Sequence, residues 1–389
     1  MRHSLKEITI LRGLFNDRIF SRFAEYAEGN SSELSEFLYE FYNRKNFSET
    51  ELNFMAYVEN LIISDDNVVT RMLAGGRQPG QVLENILLMD IETVFSIIEE
   101  TDSLGRYSCE HEKFNDAYEA LAYIKAVCPE YGYGDFIRYH AFTFQSGRLE
   151  PAAEYNNSKL QPTLDKLKDY RIEKRLIENN LVNFIKGYPC CNMLLYGDRG
   201  TGKSSTVHAM VREHFKDGLR LIEINNSQLS EIPAVRKLVG GNPLKFVILI
   251  DDLSIGESES LSSLKACLEG TAAISENTIV VATSNRRHIV KESFSDRTDA
   301  VHANDVMQEQ LSLSDRFGLT VMFSSTGKAE YLSIVKQLAA DEGLTLPEDE
   351  LCDIAERWAL TKGGRSPRRA RQFIDLAVAA QARKVKIEF

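Results

Sequence analysis

The feature that most constrains the fold is a glycine-rich segment near the middle of the 389-residue chain. It has the pattern G-x-x-x-x-G-K-S, runs from Gly197 to Ser204, and lies between an apolar run at Met193–Leu195 and a helix-like stretch at Ser205–Phe215. In such a strand–loop–helix unit the glycines let the backbone wrap around phosphate oxygens, and the amides at the helix start point at the anion. The segment therefore predicts a phosphate site in an α/β fold.

Two side chains of this loop have predicted roles. Lys203 is expected to neutralise the β- and γ-phosphates, and the Ser204 hydroxyl is expected to ligate Mg²⁺, so the predicted ligands are ATP and Mg²⁺. A chance glycine-rich turn is the structural alternative, and the flanking strand and helix make it the weaker one. The predicted nucleotide-binding residues of the loop and helix start are Gly197, Asp198, Arg199, Gly200, Thr201, Gly202, Lys203, Ser204 and Ser205.

An acidic pair follows a second apolar run. Phe246–Ile250 reads as a buried strand, and Asp251 and Asp252 come directly after it. Such a strand would bring Asp251 beside the phosphate loop, where it could hold Mg²⁺ through water, and Asp252 could polarise the attacking water. The alternative is a strand that ends in a solvated acidic turn, which the preceding phosphate loop disfavours.

The spacing of apolar residues changes along the chain. Residues 1–150 have apolar residues at three- and four-residue spacing, which predicts a helical N-terminal module, and 151–162 is the predicted linker. In residues 163–327 helical patterns alternate with short β-rich runs, which predicts a parallel sheet with helices on both faces. Residues 328–389 are expected to form a helical lid. The predicted strands are Asn192–Tyr196, Leu219–Ile224, Phe246–Ile250, Thr278–Ala282 and Leu319–Phe323.

The composition excludes several classes of protein. A hydrophobic fraction of 43% is typical of a globular chain. The net charge of −11 argues against a uniformly basic nucleic-acid-binding protein. No run reaches the roughly 18 apolar residues of a membrane span, and the first residues lack a signal-peptide pattern. The six cysteines include no C-x-x-C pair, which disfavours a zinc or redox site. We expect a cytoplasmic protein without membrane contact.

Further segments make the sequence resemble the AAA+ ATPases. They are Asn225, Ala282–Asn285, Asp315–Gly318 and Ser366–Ala370. The resemblance implies that Asn285 senses the γ-phosphate or orients the water, and that Asn225 is a polar switch for the catalytic acid. It also implies that Arg316 is a finger that reaches the nucleotide of a neighbouring subunit, and that Arg368 is a second sensor. Arginine suits both positions because it is always charged and grips phosphate oxygens bidentately.

The segment before the phosphate loop adds a candidate for base binding. Tyr170 lies at the start of a predicted helix, and in AAA+ proteins the matching stretch flanks adenine. The resemblance therefore implies that Tyr170 stacks on the base. A tyrosine of the hydrophobic core is an equally strong alternative.

The resemblance narrows to an uncharacterised bacterial family of predicted AAA+ ATPases, named only as a domain of unknown function. It covers about residues 165–380. It implies an α/β P-loop NTPase fold of the AAA+ type, ATPase activity, and a homo-oligomer that acts on an unknown protein partner. The segments that carry it are Asn180, Gly187–Gly202, Arg220–Glu223, Asp251–Ser254, Leu264–Lys265, Leu268–Gly270, Ala282–His288 and Leu313–Leu319.

Departures from the AAA+ pattern shape the expected function. Asp252 stands where many AAA+ proteins have glutamate. Because aspartate is one methylene shorter, its carboxylate lies about 1.5 Å further from the reacting phosphate. An ATP-gated switch with little turnover is therefore the alternative to an active ATPase. The stretch between Ser227 and Pro243 has no aromatic residue, which disfavours polypeptide threading. Arg286–His288 and the arginines near the C-terminus leave nucleic acid open as a partner, but without a long basic stripe it is not favoured. A small-molecule kinase is the least favoured class.

Overall fold

The computed structural model describes residues 4–43, 53–102, 107, 109–111, 113–156, 163–253, 268, 276–285 and 316–387. The chain divides into two compact units. The N-terminal unit consists of residues 1–139 with 241–244, and the α/β unit consists of residues 140–240 with 245–389. Among the described residues, no helix is both long and apolar enough to cross a membrane.

The N-terminal unit is helical, as its periodicity predicts, and its core contains a cluster of aromatic rings. Phe23, Phe37, Phe41, Phe54 and Tyr107 are buried, and the centroids of contacting rings are 4.7–6.1 Å apart. Five of these eight ring contacts are edge-to-face, and such contacts add to the hydrophobic gain of burying the rings. The helices of this unit are α1 (Arg18–Ala27), α2 (Glu33–Asn43), α3 (Phe54–Ile63), α4 (Val68–Ala74), α5 (Gln81–Thr101) and α6 (Ala117–Tyr131), with 3₁₀ helices at Leu5–Glu7, Leu11–Asn16 and Gly134–Ile137.

The α/β unit is built on a sheet whose seven described strands lie in the order β2-β1-β4-β5-β6-β3-β7. All neighbours pair in parallel except β1 and β2, which are antiparallel. The five predicted strands are confirmed, each to within two residues at either end. The strands are β1 (Ala141–Gln145), β2 (Arg148–Pro151), β3 (Met193–Gly197), β4 (Leu219–Ile224), β5 (Lys245–Ile250), β6 (Thr278–Ser284) and β7 (Leu319–Phe323).

The hairpin formed by β1 and β2 is the part of the sheet that the sequence analysis did not predict. Residues 141–150 were assigned to the helical module, but they add two strands beside β4. Ser146 and Gly147 both have positive φ, 50° and 79°, as a two-residue hairpin turn requires. The strands have only five and four residues, too few for their alternation to stand out from the neighbouring helical pattern.

The order of the strands creates a crevice at one edge of the sheet. The chain leaves β3 towards β4 on one side, whereas it leaves β6 towards β7 on the other, so its direction reverses between these two adjacent strands. In open α/β sheets ligands bind outside the carboxyl ends of the strands at such a point. Apolar residues of α8 (Arg171–Ile185) and α9 (Lys203–Glu213) share one core with β3–β7. The other helices of this part are α7 (Ala153–Asn156), α10 (Ile232–Val239) and a 3₁₀ helix at Asn226–Glu231.

Three helices follow β7 and have a small core of their own. They are α11 (Lys328–Asp341), α12 (Glu348–Thr361) and α13 (Pro367–Arg383), and we call them the lid helices. Tyr331, Trp358 and Phe373, one from each helix, are buried in this core. Ser366 caps α13, since its hydroxyl accepts a hydrogen bond from the backbone of Arg369.

Candidate nucleotide-binding site

The predicted phosphate loop connects β3 to α9, as the sequence pattern requires. Gly197, at the end of β3, has a φ of 138°, and a Cβ there would lie 1.9 Å from the carbonyl oxygen of Phe323. Only glycine therefore allows β7 to pack this closely on the loop. Gly202 precedes α9 with a φ of 90°, which turns the backbone into the helix. The loop thus presents the N-terminus of α9 to the crevice.

Lys203 is the buried cation of the loop. Its Nζ donates hydrogen bonds to the carbonyl oxygens of Gly197 at 3.0 Å and Asp198 at 2.8 Å, and it lies 3.3 Å from Oδ1 of Asn285. Burial lowers the pKa of Lys203, and the carboxylates of Asp198 and Asp251 oppose that shift. The ammonium group is therefore held in the crevice by the loop itself, in a position from which it can reach a bound phosphate.

Asp251 is placed beside the loop by the buried strand β5. One of its carboxylate oxygens accepts hydrogen bonds from the hydroxyls of Ser204 and Thr283. Hydroxyl and carboxylate oxygens are ligands that Mg²⁺ prefers, so the donor set of Ser204 and Asp251 fits the predicted metal. Thr283 had no predicted role, although it stands inside the Ala282–Asn285 segment at the end of β6.

Asp252 is held by residues from the ends of neighbouring strands. It has a positive φ of 50°, its backbone N–H donates to the Thr283 hydroxyl at 2.9 Å, and its carboxylate accepts a hydrogen bond from the Asn285 amide. Asn226, rather than the exposed Asn225, reaches this acid: its Nδ2 donates to the Asp252 carbonyl at 3.1 Å. The structure thus brings Asp252 and Asn285 into direct contact.

Near Asp251 lies a partly buried polar cluster that was not predicted from the sequence. His208 of α9 stacks on Tyr155 with ring centroids 4.0 Å apart, and its Nε2 is 3.6 Å from a carboxylate oxygen of Glu223 on β4. Burial lowers the pKa of His208 to about 4, so the imidazole is neutral at physiological pH. The helix position of His208, one turn after Ser204, was the available signal.

Tyr170 is largely buried, with 7% of its surface exposed. Its hydroxyl donates a hydrogen bond to the carbonyl oxygen of Ser324 at 2.6 Å, and its ring centroid lies 5.0 Å from that of Phe323. Burial raises the pKa of this hydroxyl. These contacts support the interpretation of Tyr170 as a core residue, and its stacking on a base stays a prediction.

A cavity of about 1090 Å³ contains the loop, the acidic pair and Asn285. Seven lysine and arginine side chains and only two carboxylates line it, which favours a polyanionic ligand. Leu167, Ile334 and Leu338 form an apolar part of its wall, which suits a flat nucleobase. The basic lining residues are Lys166, Lys168, Lys174, Arg199, Lys203, Arg368 and Arg371. Burial lowers the pKa of Lys174 to about 8.

The two predicted arginines lie in different surroundings. Arg368 lines the cavity at the start of α13, and its backbone N–H donates to the carbonyl oxygen of Gly200 at 3.1 Å. Arg316 is half-buried just before β7 and does not line the cavity of its own chain. Asp315, Arg286–His288 and the proposed family segments at Leu264–Lys265 and Leu313–Ser314 lie outside the described residues.

The parallel sheet, the glycine loop at its switch point and the acids beside it define a P-loop NTPase fold. The chain belongs to the family described as "Protein of unknown function (DUF815)", which matches residues 137–381. The match begins just before β1, so it includes the hairpin that the sequence analysis had assigned to the helical module. The resemblance of the sequence to a family named only as a domain of unknown function is confirmed.

Relatives outside the family cover only part of this chain. The replication factor C large subunit of Nanoarchaeum equitans is 25% identical over 200 residues, which are 50% of this chain and 41% of that protein. The chaperone protein ClpB of Bdellovibrio bacteriovorus is 24% identical over 178 residues, or 38% of this chain and 21% of that protein. The chain therefore spans less than half the length of either relative.

Two solved structures are similar to this chain at a lower level. The Thermotoga maritima RuvB Holliday junction branch migration motor is 17% identical, with a TM-score of 0.41 over 59% of this chain and 69% of that chain. The Aeropyrum pernix ORC1 protein in complex with DNA is 15% identical, with a TM-score of 0.43 over 58% and 63%.

Proposed function

We propose that this chain is an ATPase of the AAA+ type that uses ATP hydrolysis to change the conformation of a protein, or protein–nucleic acid, partner. The observation that supports this most directly is the convergence of Lys203, Asp251 and Asn285 on one cavity. These residues follow β3, β5 and β6, whose carboxyl ends meet at the switch point of the sheet.

Each residue of the site has a role in the proposed reaction. Lys203 and the amides of the loop hold the phosphates, while Ser204 and Asp251 hold Mg²⁺, which neutralises charge on the phosphate oxygens when bound. Asp252 orients and deprotonates the attacking water, and Asn285 keeps its carboxylate in position through the hydrogen bond between them. Arg368 would contact the phosphates from the lid side.

Catalysis between subunits is tested by measuring ATP turnover per chain against protein concentration, for the wild type and for Arg316→Ala. A rate that rises with concentration and collapses in the variant is expected if Arg316 serves a neighbouring subunit of a homo-oligomer. Arg357→Ala, at an exposed arginine of α12, is the matched control and should leave the rate unchanged. A concentration-independent rate that survives Arg316→Ala would contradict the finger.

An ATP-gated switch with little turnover is the second candidate. It is favoured by the short side chain of Asp252 and by the hydrogen bond that already occupies this carboxylate. Asp252→Glu should raise turnover by about tenfold or more if the missing methylene limits the rate. An unchanged rate would count against this geometric handicap, and tight ATP binding with negligible turnover in both proteins would favour the switch.

The partner is proposed as a class only. The names of the relatives, a replication factor and a chaperone, suggest a protein or a protein bound to nucleic acid, and direct DNA binding is not favoured by the near-neutral charge of residues 140–389. Fluorescence anisotropy with labelled single- and double-stranded DNA at low salt would detect such binding. A bacterial origin and a cytoplasmic location stay predictions.

A further inference from the structure

Two contacts between the lid helices and the rest of the α/β unit differ in kind. The first lies at the phosphate loop, where the backbone of Arg368 donates to the carbonyl oxygen of Gly200. A Cβ at Gly200 would lie 3.2 Å from both Arg368 Cβ and Ser366 Oγ, so the start of α13 packs on the loop with little room for a methyl group. This contact combines a backbone hydrogen bond with tight van der Waals packing, and salt has little effect on either.

The second contact is an ion pair at the apolar part of the cavity wall. Lys168 Nζ lies 2.7 Å from a carboxylate oxygen of Asp341, the last residue of α11. Lys168 follows Leu167 in the chain, and Asp341 lies one helical turn after Leu338, so the pair sits beside two residues that form the apolar wall. The Lys168 side chain is 16% exposed and that of Asp341 is 41% exposed.

The two contacts differ in how easily they break. An ion pair with an exposed member is worth only a few-fold in an equilibrium and weakens further with salt, whereas a close-packed backbone contact does not. The lid is therefore held firmly beside the phosphates and weakly beside the apolar wall. Opening at the weak contact would uncover the base before the phosphates.

We propose that the Lys168–Asp341 ion pair is a latch that holds α11, with Ile334 and Leu338 of the apolar wall, against the segment of Leu167, and that it sets the rate at which a bound nucleotide leaves. Asp341 is a positioning residue, since it acts by holding the lid, whereas Lys168 also lines the cavity. The identity of the ligand rests on the proposed function, whereas the opening of the lid does not.

The chain supplies a matched control one residue away. Glu342 follows Asp341 and pairs with Arg371 at 2.8 Å, but Arg371 belongs to α13, so that ion pair lies within the lid helices. Asp341→Asn and Glu342→Gln remove the same charge from adjacent positions. Only the first separates the lid from the segment before α8.

The experiment measures the release of a fluorescent ADP analogue from the full chain by stopped-flow chase with unlabelled ADP. Asp341→Asn and Lys168→Met should each speed release about two- to fivefold, and the double variant should be no faster than either. Release from the wild type should accelerate with added NaCl, whereas release from Asp341→Asn should depend much less on salt. Glu342→Gln should not speed release, since its partner Arg371 also pairs with Asp375 within α13. The charge swap Lys168→Asp with Asp341→Lys should release the analogue more slowly than Lys168→Asp alone.

A second measurement does not need nucleotide. Hydrogen exchange of the ligand-free chain should be faster in the last turn of α11 for Asp341→Asn than for Glu342→Gln. The latch is overturned if both variants exchange and release alike, or if the effects of Lys168→Met and Asp341→Asn add in the double variant. If the wild type binds no nucleotide while exchange still responds to Asp341→Asn, the proposed function fails and the lid contact stands without its role in release.

Discussion

Both units of the molecule bury ionisable side chains, but they use them differently. In the N-terminal unit, Asp90 accepts hydrogen bonds at 2.6–3.1 Å from the backbone N–H groups of residues 9–11, and Glu59 accepts from the backbone of Lys113 at 3.2 Å. In the α/β unit, the buried Lys203 and the partly buried Asp251 and Asn285 line one cavity. Burial of a charge therefore does not mark a functional site, whereas convergence of charged and polar side chains on a cavity does.

The distribution of charge between the two parts of the chain sharpens this contrast. Residues 1–139 contain 13 basic and 24 acidic residues, whereas residues 140–389 contain 33 of each, so the net charge of −11 belongs to the first part. The second part is neutral overall, yet its cavity is lined by seven cationic side chains and two carboxylates. The charge of this cavity is therefore a local arrangement and does not follow from composition.

The largest expected effect on stability comes from removing a buried acid of the N-terminal unit. Asp90→Ala should lower the free energy of unfolding by about 3 to 4 kcal/mol, because three backbone N–H groups lose a charged acceptor. Urea unfolding measures the loss. Glu92→Ala, at an exposed position of the same helix, should change stability by less than about 0.5 kcal/mol. A small loss for Asp90→Ala would mean that water satisfies these donors.

The matching test in the α/β unit concerns ligand binding. Lys203→Ala should weaken ATP binding on the order of 100-fold, about 3 kcal/mol, because it removes a charge-assisted contact to the phosphates. Isothermal titration measures the affinity, and Lys216→Ala on the surface is the control. Lys203 donates to two carbonyl oxygens of its own loop and to Oδ1 of Asn285, but burial of its charge opposes these contacts, so the urea midpoint should move little. An unchanged affinity of Lys203→Ala for ATP would contradict the assignment of this buried lysine to ligand binding.

The sequence predicts those parts of the molecule that depend on residues close together in the chain. The glycine loop, Ser204, the acids after β5 and the five strands β3–β7 follow from local patterns. The contacts that complete the site join distant segments, and these could not be predicted: Thr283 with Asp251, and Asn226 rather than Asn225 with Asp252. Whether Asn225 or Asn226 contacts Asp252 depends on where the neighbouring strand β5 ends, and this position cannot be read from a single sequence.

Asp65 is another buried acid of the N-terminal unit, and its contribution to stability should depend on pH. Burial raises the pKa of this carboxyl from 3.8 to about 6, and the nearby carboxylates of Asp66 and Asp90 act in the same direction. Because the folded state favours the protonated form, the stabilisation is complete below about pH 4 and is lost as the pH rises through 6. Between pH 4 and pH 7.5 the loss from this residue is about 2 kcal/mol.

Urea unfolding across this pH range measures the effect of Asp65. Asp65→Asn should remove about 2 kcal/mol of the decline in stability, whereas Asp66→Asn, at the exposed neighbouring residue, should leave most of it. Equal slopes for the wild type and Asp65→Asn would show that this acid titrates normally in the folded protein.

The smallest expected effect compares two buried threonines, one in each unit. The Thr283 hydroxyl donates to Asp251 and accepts from the backbone N–H of Asp252, whereas the Thr70 hydroxyl donates to the backbone oxygens of Asp65 and Asn67 and accepts from the N–H of Asn67. Valine has nearly the same shape but no hydroxyl, so each substitution removes hydrogen bonds without opening a cavity, at a cost of about 1 to 2 kcal/mol.

Thr70→Val should lower the free energy of unfolding by this amount and leave ATP turnover unchanged. Thr283→Val should lower turnover about tenfold, because it frees both acids that the site must hold in place. If the two variants lose the same stability and neither loses turnover, the hydroxyl of Thr283 is structural, and the distinction between the two units must rest on Lys203 and the acids themselves.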